Sequence, residues 1–129
     1  MMSQDDHYAF LTLDDLVQRS LSVELAAEFL VCSQADVRRR LKRNRLLAFE
    51  FGPDERWYFP AWQFEPRYPT GTLPGLADLL DLSTLDTLEL SRWVWRPNPV
   101  LNGRRPIEAL REGQIEIVLK LINAMEEDI

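Results

Sequence analysis

The sequence predicts a mainly α protein in two parts: an N-terminal winged helix-turn-helix (helices plus a β-hairpin) over residues 1–65, and a small all-α domain over residues 76–129. Three observations predict it. Two helical patterns stand either side of a three-residue gap, and the second carries six cations within the eight residues Arg38 to Arg45. Directly after it, two short apolar runs flank Gly52-Pro53-Asp54-Glu55, which is hairpin-turn composition. The stretch 66–75, with Pro66, Pro69, Gly71 and Pro74, is the one linker-like segment, and beyond it the spacing is helical throughout.

Thr12 caps the first helix, with Asp15 three residues on in a capping-box spacing, and Leu13, Leu16 and Val17 supply its apolar face. Ser20 or Ser22 restarts the chain, and Val23, Ala26, Ala27 and Leu30 continue at helical spacing. Ser33 with Asp36 caps the third helix, Gln34 to about Asn44, whose inner face is Val37 and Leu41. At about 100° per residue, Ala35, Arg39, Lys42 and Arg43 point the other way, with Gln34 and Arg38 on the flanks. Helix, short turn and basic helix form the pattern that places its second helix in a major groove. Gln34, Ala35 and Arg38, near the helix start, are then the candidates to reach base edges of operator DNA. Arg39, Lys42 and Arg43 are the candidates to neutralise phosphates. The return strand is Arg56-Trp57-Tyr58-Phe59, ending at Pro60. Trp57 and Trp62 suit this hairpin and its anchor, and Cys32 suits a small core residue in the turn.

The linker, too short and too apolar at its ends to be a free tether, is expected to run along the surface and pack in part. Leu76 to Leu82 is a short helix, and Ser83 with Asp86 caps the next, Thr84 to Trp95, which is apolar nearly all round. Pro97 and Pro99 stop it. Asn98, Asn102 and Gly103 supply turn chemistry, two of them types that tolerate left-handed backbone, and Pro106 suits the first turn of a new helix. The result is a proline-clamped corner on which Arg104 and Arg105 are expected to be exposed, with one of Trp93 and Trp95 in the core and the other at an interface. After Ile107 to Arg111 and Gly113, the last helix spans Gln114 to Glu126. Ile115, Val118, Leu119, Ile122 and Met125 form one face, and Ile117, Leu121 and Ala124 widen it past half the circumference. About 50 residues offer little interior for so wide an arc, so part of it is expected to meet another chain, which predicts a homo-oligomer, in the first instance a dimer.

Composition narrows the function. Hydrophobic residues at 46% suffice for a core, and 10% aromatics argue against disorder. No apolar run approaches the roughly 20 residues that span a bilayer, so no membrane partner is expected. The start, MMSQDDHY, is acidic and polar rather than a secretory signal, which favours the cytoplasm. Cys32 and His7 are single, so an internal disulfide, a zinc cluster and a nucleophilic triad all lack their parts. The five glycines are scattered rather than gathered into a phosphate loop, and the expectation is no enzyme, no cofactor and no metal. The net charge of −6 opposes nucleic-acid binding as a property of the whole surface and confines it to the basic helix.

Two resemblances sharpen this. The stretch SVELAAEFLVCSQADVRRRLKRNRLLAFEF with RWYFPAWQF resembles the MerR/excisionase-type winged-helix family over about residues 20–64, with Val31 where the family's turn carries glycine and an acidic tip at Asp54 and Glu55. The spacing Trp93, Asn98, Leu101, Gly103, Pro106, Ile107, Leu110, followed by an amphipathic helix, resembles the toxin-binding domain of Xre/MbcA/ParS antitoxins over Ser83 to Ile129. That resemblance implies an antitoxin that neutralises a RES-like, NAD⁺-consuming toxin by blocking its cleft and represses its own operon. It implies toxin contact by Arg104, Arg105 and the last helix (Ile117, Leu121), with Trp93 and Asn98 in the signature itself. Members of that family usually pair the domain with a Xre-like helical bundle, whereas this N-terminus reads as winged. The alternative from a different class is a plain excisionase-like or MerR-like transcription regulator whose C-terminal helices only dimerise.

Overall fold

Side-chain caps decide where the N-terminal helices begin. In the computed structural model, which describes residues 12–127, Thr12 and Asp15 form the expected reciprocal box at the start of α1 (Leu13–Val17). His7 lies outside the described residues. Ser22 Oγ accepts the Leu25 N–H at 3.2 Å and starts α2 (Val23–Leu30), and Ser33 Oγ accepts the Asp36 N–H at 3.0 Å and starts α3 (Gln34–Lys42).

The sequence reading missed a strand. Ser20–Ser22 forms β1, and with β2 (Phe49–Phe51) and β3 (Arg56–Pro60) it makes a three-stranded antiparallel sheet in the order β1-β3-β2. Leu21 stands opposite Phe59, and Phe49 opposite Tyr58. Three residues show no legible alternation, and Ser22 serves both as the last strand residue and as a helix cap.

This sheet is the layer on which the molecule is assembled. Successive strand residues face opposite ways. Phe59 and its partner Leu21 face a cluster with Ala26, Ala27, Val37, Leu46 and Phe64, which seats α2 and α3. Phe49 and Tyr58 face the larger cluster, which joins Leu16 and Trp62 to Leu79, Leu90, Val94, Ile107, Leu110, Val118 and Ile122. One core therefore runs from α1 and the sheet into the helices that follow residue 75: α4 (Leu76–Leu82), α5 (Thr87–Trp95), α6 (Pro106–Arg111) and α7 (Ile115–Glu127). The 66–75 stretch packs between them. Leu73 is buried, Thr72 bridges Phe64, and the Tyr68 hydroxyl donates to the Arg111 carbonyl at 2.8 Å.

α5 begins three residues later than the spacing of Ser83 and Asp86 predicts. Asp86 is the cap, in a reciprocal box with Glu89, while Ser83 Oγ accepts the Leu85 N–H in a local turn. Two overlapping cap-plus-three patterns compete here. The later one lets Thr87 Oγ1 donate to the Ala48 carbonyl at 2.9 Å, tying α5 to the segment before β2. Among the described residues no helix is long and apolar enough to cross a membrane.

Candidate functional site

Two places concentrate the candidate residues. At the first, Val37 anchors α3 in the core, and Gln34, Ala35, Arg38, Arg39, Lys42 and Arg43 are all exposed. The helix is short, but its orientation is fixed at both ends. The preceding turn is held by Val31, whose φ of 54° is left-handed and whose N–H caps α2. Asn44 closes the other end, also left-handed at φ 59°, with its amide donating to Asp81 Oδ1 at 3.0 Å. Asp36, in the first turn, pairs with Arg39. The Ser33 hydroxyl, and after it the Arg39 guanidinium, hold the Asp36 carboxyl below the usual carboxylate range.

The basic run is not one surface. Arg40 donates to the Thr70 carbonyl at 3.3 Å, and Arg45 pairs with Asp81 at 3.5 Å. These two cations fasten α3 to the segment before α4 and to α4 itself, a role that charge density alone could not reveal. The remaining four are exposed, and Arg38 and Lys42 line a groove beside the β2–β3 hairpin. Its tip carries Asp54 and Glu55, the latter at φ 50°, and Trp57 on β3 stays 42% exposed.

The second place is the corner between α5 and α6. α5 stops at Trp95, and a single 3-10 turn, Pro99–Leu101, follows. Asn98 organises it: its side chain accepts the Val100 N–H at 2.9 Å, its own N–H donates to the Arg104 carbonyl, and its carbonyl accepts from Leu101 and Gly103. Asn102 and Gly103 take the left-handed backbone that their chemistry allows, at φ 59° and 84°. Pro106 is the first residue of α6, as its missing N–H permits.

The two arginines of this corner differ. Arg105 is turned inward, its side chain only 14% exposed, with Nε donating to the Trp95 carbonyl at 2.8 Å and the guanidinium over the Trp95 ring. The expectation of exposure is wrong for it, because the α5 carbonyls left without helical partners beyond Trp95 are best met by this donor. Arg104 is more open at 35%, reaching Gln114 at 3.2 Å and pairing with Glu112. It lines a groove of about 790 Å³ with Val100, Asn102, Gln114, Ile117 and Lys120, of which Val100 is 61% and Ile117 39% exposed. Val100 was not singled out from sequence; a lone apolar residue inside a proline-rich turn was the available signal. Trp93, Trp95 and Leu121 are half-buried against the core. Thus Arg104 and Ile117 meet at one groove, Asn98 and Arg105 hold the corner's shape, and Trp93 packs against the core. Among the described residues no three His, Cys, Asp or Glu side chains are placed to share a metal ion.

Comparison with known proteins meets this geometry at its second place. Residues 84–127, which span α5, the corner, α6 and α7, match the antitoxin Xre/MbcA/ParS C-terminal toxin-binding domain. No curated protein matches the chain. Among solved structures, the chain is similar to the NMR structure of Rv2175c, at a TM-score of 0.65 and 22% identity, over 82% of this chain and 80% of that one. At that identity the likeness is one of fold.

Proposed function

We propose that this chain is the antitoxin of a type II toxin–antitoxin pair, neutralising a RES-like, NAD⁺-consuming toxin with its C-terminal helices and repressing its own operon with its N-terminal winged helix-turn-helix. The observation that carries this is the corner itself: Asn98, Gly103 and Pro106 build a rigid platform inside the stretch that matches a toxin-binding domain. Arg104, Val100 and Ile117 on the adjoining groove, with Leu121 beside it, make the contact, while Trp93, Asn98 and Arg105 position it. A partly apolar patch with a cation at its edge suits a protein partner better than a small metabolite. The DNA half rests on six exposed residues of α3 and its C-cap, held at a fixed orientation by Val31 and Asn44. The chain acts as a dimer in the cytoplasm.

The test is growth. Cells expressing the toxin encoded beside this chain are compared with and without the full-length protein, and intracellular NAD⁺ is followed. Restored growth and NAD⁺ support the antitoxin. A folded protein that neither rescues growth nor forms a complex with the toxin leaves the plain dimerising regulator.

A further inference from the structure

The pose of α3 depends on more than its core contacts. Val37 and Leu41 lie about 40° apart around the helix, so they seat it along a single line. Such a line resists tilting of the axis better than rolling about it. Arg40 projects about 80° to one side of that line, with Gln34 and Arg38 on the other. Two groups beyond residue 65 oppose the roll. The Thr70 carbonyl accepts from Arg40 at 3.3 Å. Asp81 uses both carboxylate oxygens just past the helix: Oδ1 accepts the Asn44 amide at 3.0 Å, and Oδ2 pairs with Arg45 at 3.5 Å.

Both supports are themselves fixed. The turn that carries Thr70 is closed by the Glu65 N–H, which donates to the Gly71 carbonyl at 2.9 Å. The helix that carries Asp81, α4, is buried through Leu76, Leu79 and Leu80. Local chemistry does not account for Asp81. It stands in the last turn of α4, where the helix dipole disfavours an anion. Its side chain is about half exposed, so the pair with Arg45 contributes little stability. What it has instead is two partners at the end of α3.

We propose that Asp81 is a positioning residue for base recognition: by holding Asn44 and Arg45 it fixes the roll of α3 and so sets which base edges Gln34 and Arg38 reach. This rests on the DNA-binding reading above. A roll of about 10° moves a side chain at the helix surface by about 1 Å. A recognition contact has to be held to within about 0.5 Å. Phosphate contacts by long, flexible cationic side chains carry no such demand and no sequence information. Asp81 therefore governs sequence preference, and the phosphate affinity stays with α3.

The experiment compares binding of the full-length protein to a duplex from its own promoter and to a random duplex of equal length, across a salt series, with urea midpoints alongside. Asp81→Ala with Arg45→Ala removes one anion and one cation, so the net charge and the long-range attraction to DNA are unchanged. Promoter binding should weaken about tenfold, as for one lost base contact, with random-duplex binding, salt slope and urea midpoint close to the parent's. Asp81→Asn with Arg45→Ala has the same charge but keeps an oxygen to accept the Asn44 amide, and should restore most of the promoter preference. If the double alanine variant does not fold, Asn44→Gly, which drops the amide and keeps the left-handed backbone, should lose the preference in its place. A folded variant that keeps its promoter preference, or that loses both duplexes equally, would overturn the proposal while leaving α3 as the reader. A parent protein that binds neither duplex would remove the DNA reading, and this inference with it.

Discussion

The indole N–H of Trp62 donates to Ser91 Oγ at 2.9 Å across 29 residues of sequence, inside the core that the sheet shares with the later helices. The hydroxyl passes its own proton on to the Thr87 carbonyl at 2.7 Å, so it accepts and donates at once. Ser91→Ala should therefore strand a buried indole donor and cost about 1–3 kcal/mol in urea unfolding. Combining it with Trp62→Phe should cost less than the sum of the single changes, because the two residues interact only through this bond. The protein should also unfold in one transition, since this core joins residues from both sides of the 66–75 stretch.

Val31 is a β-branched residue in left-handed backbone and is 89% exposed, so it contributes strain and little packing. Val31→Asn should raise stability by about 1 kcal/mol, and Val31→Gly somewhat less because glycine also frees the unfolded chain. Matched urea midpoints for parent and both variants would show that the turn is not strained.

What was legible in the sequence follows physical range. Caps are local, and Thr12–Asp15 and Ser33–Asp36 were readable because each bond closes within one turn. The hairpin was readable because Gly52 to Glu55 interrupts two apolar runs. β1 was not, since a three-residue strand exists only through its pairing with residues 58–60. The division of the basic run was also hidden: Arg40 and Arg45 have the same chemistry as Arg39 and Lys42, and only partners 30 and 36 residues away engage them within the fold. At the corner, φ at Asn102 and Gly103 was readable from residue type, but the inward turn of Arg105 depended on where the Trp95 carbonyl lay.

That division of the basic run makes a prediction about DNA. Lys42→Ala should lower the salt slope by about 0.9 and weaken binding at every sequence, and Arg39→Ala should do so by less, because its guanidinium is shared with Asp36. Gln34→Ala or Arg38→Ala should instead cost about 1–3 kcal/mol at particular base pairs. Arg45→Ala, whose parent side chain is engaged with Asp81, should leave the slope unchanged. Equal slopes across the whole series would mean that α3 is only a solvated face.

α7 buries Val118 and Ile122 fully, yet Ile117 is 39% exposed and Leu119, Leu121 and Met125 are only partly covered. Sedimentation of the purified chain at about 50 µM should give a dimer, and Leu121→Glu should shift it toward monomer. A parent protein that stays monomeric would assign this face to the toxin alone.

The last prediction separates the two arginines of the corner. Arg104 lines the groove with Val100 and Ile117, and its partners Glu112 and Gln114 are themselves exposed. Arg104→Glu should therefore cost less than about 1 kcal/mol of stability, while reversing the charge proposed to meet the toxin. Rescue of toxin-expressing cells should fall, with the circular dichroism spectrum and the promoter affinity unchanged. Arg105→Glu acts through the fold. It removes the donor to the Trp95 carbonyl, places an anion beside that carbonyl, and loses the ion pair with Glu108. With the group largely buried, the cost should be several times larger and visible as an early melt of the whole protein. Gly103 gives the calibration for strain without contact. Its φ is 84° and a methyl group there would meet nothing within 4 Å, so Gly103→Ala should cost about 1 kcal/mol of backbone strain and little rescue. Gly75→Ala combines similar strain with a methyl 2.5 Å from the Ile115 side chain, at the contact of α4 with α7, and should destabilise more than Gly103→Ala. If Arg104→Glu and Arg105→Glu were to lose rescue and stability in parallel, the corner would be a folding element and the toxin contact would lie elsewhere on α7.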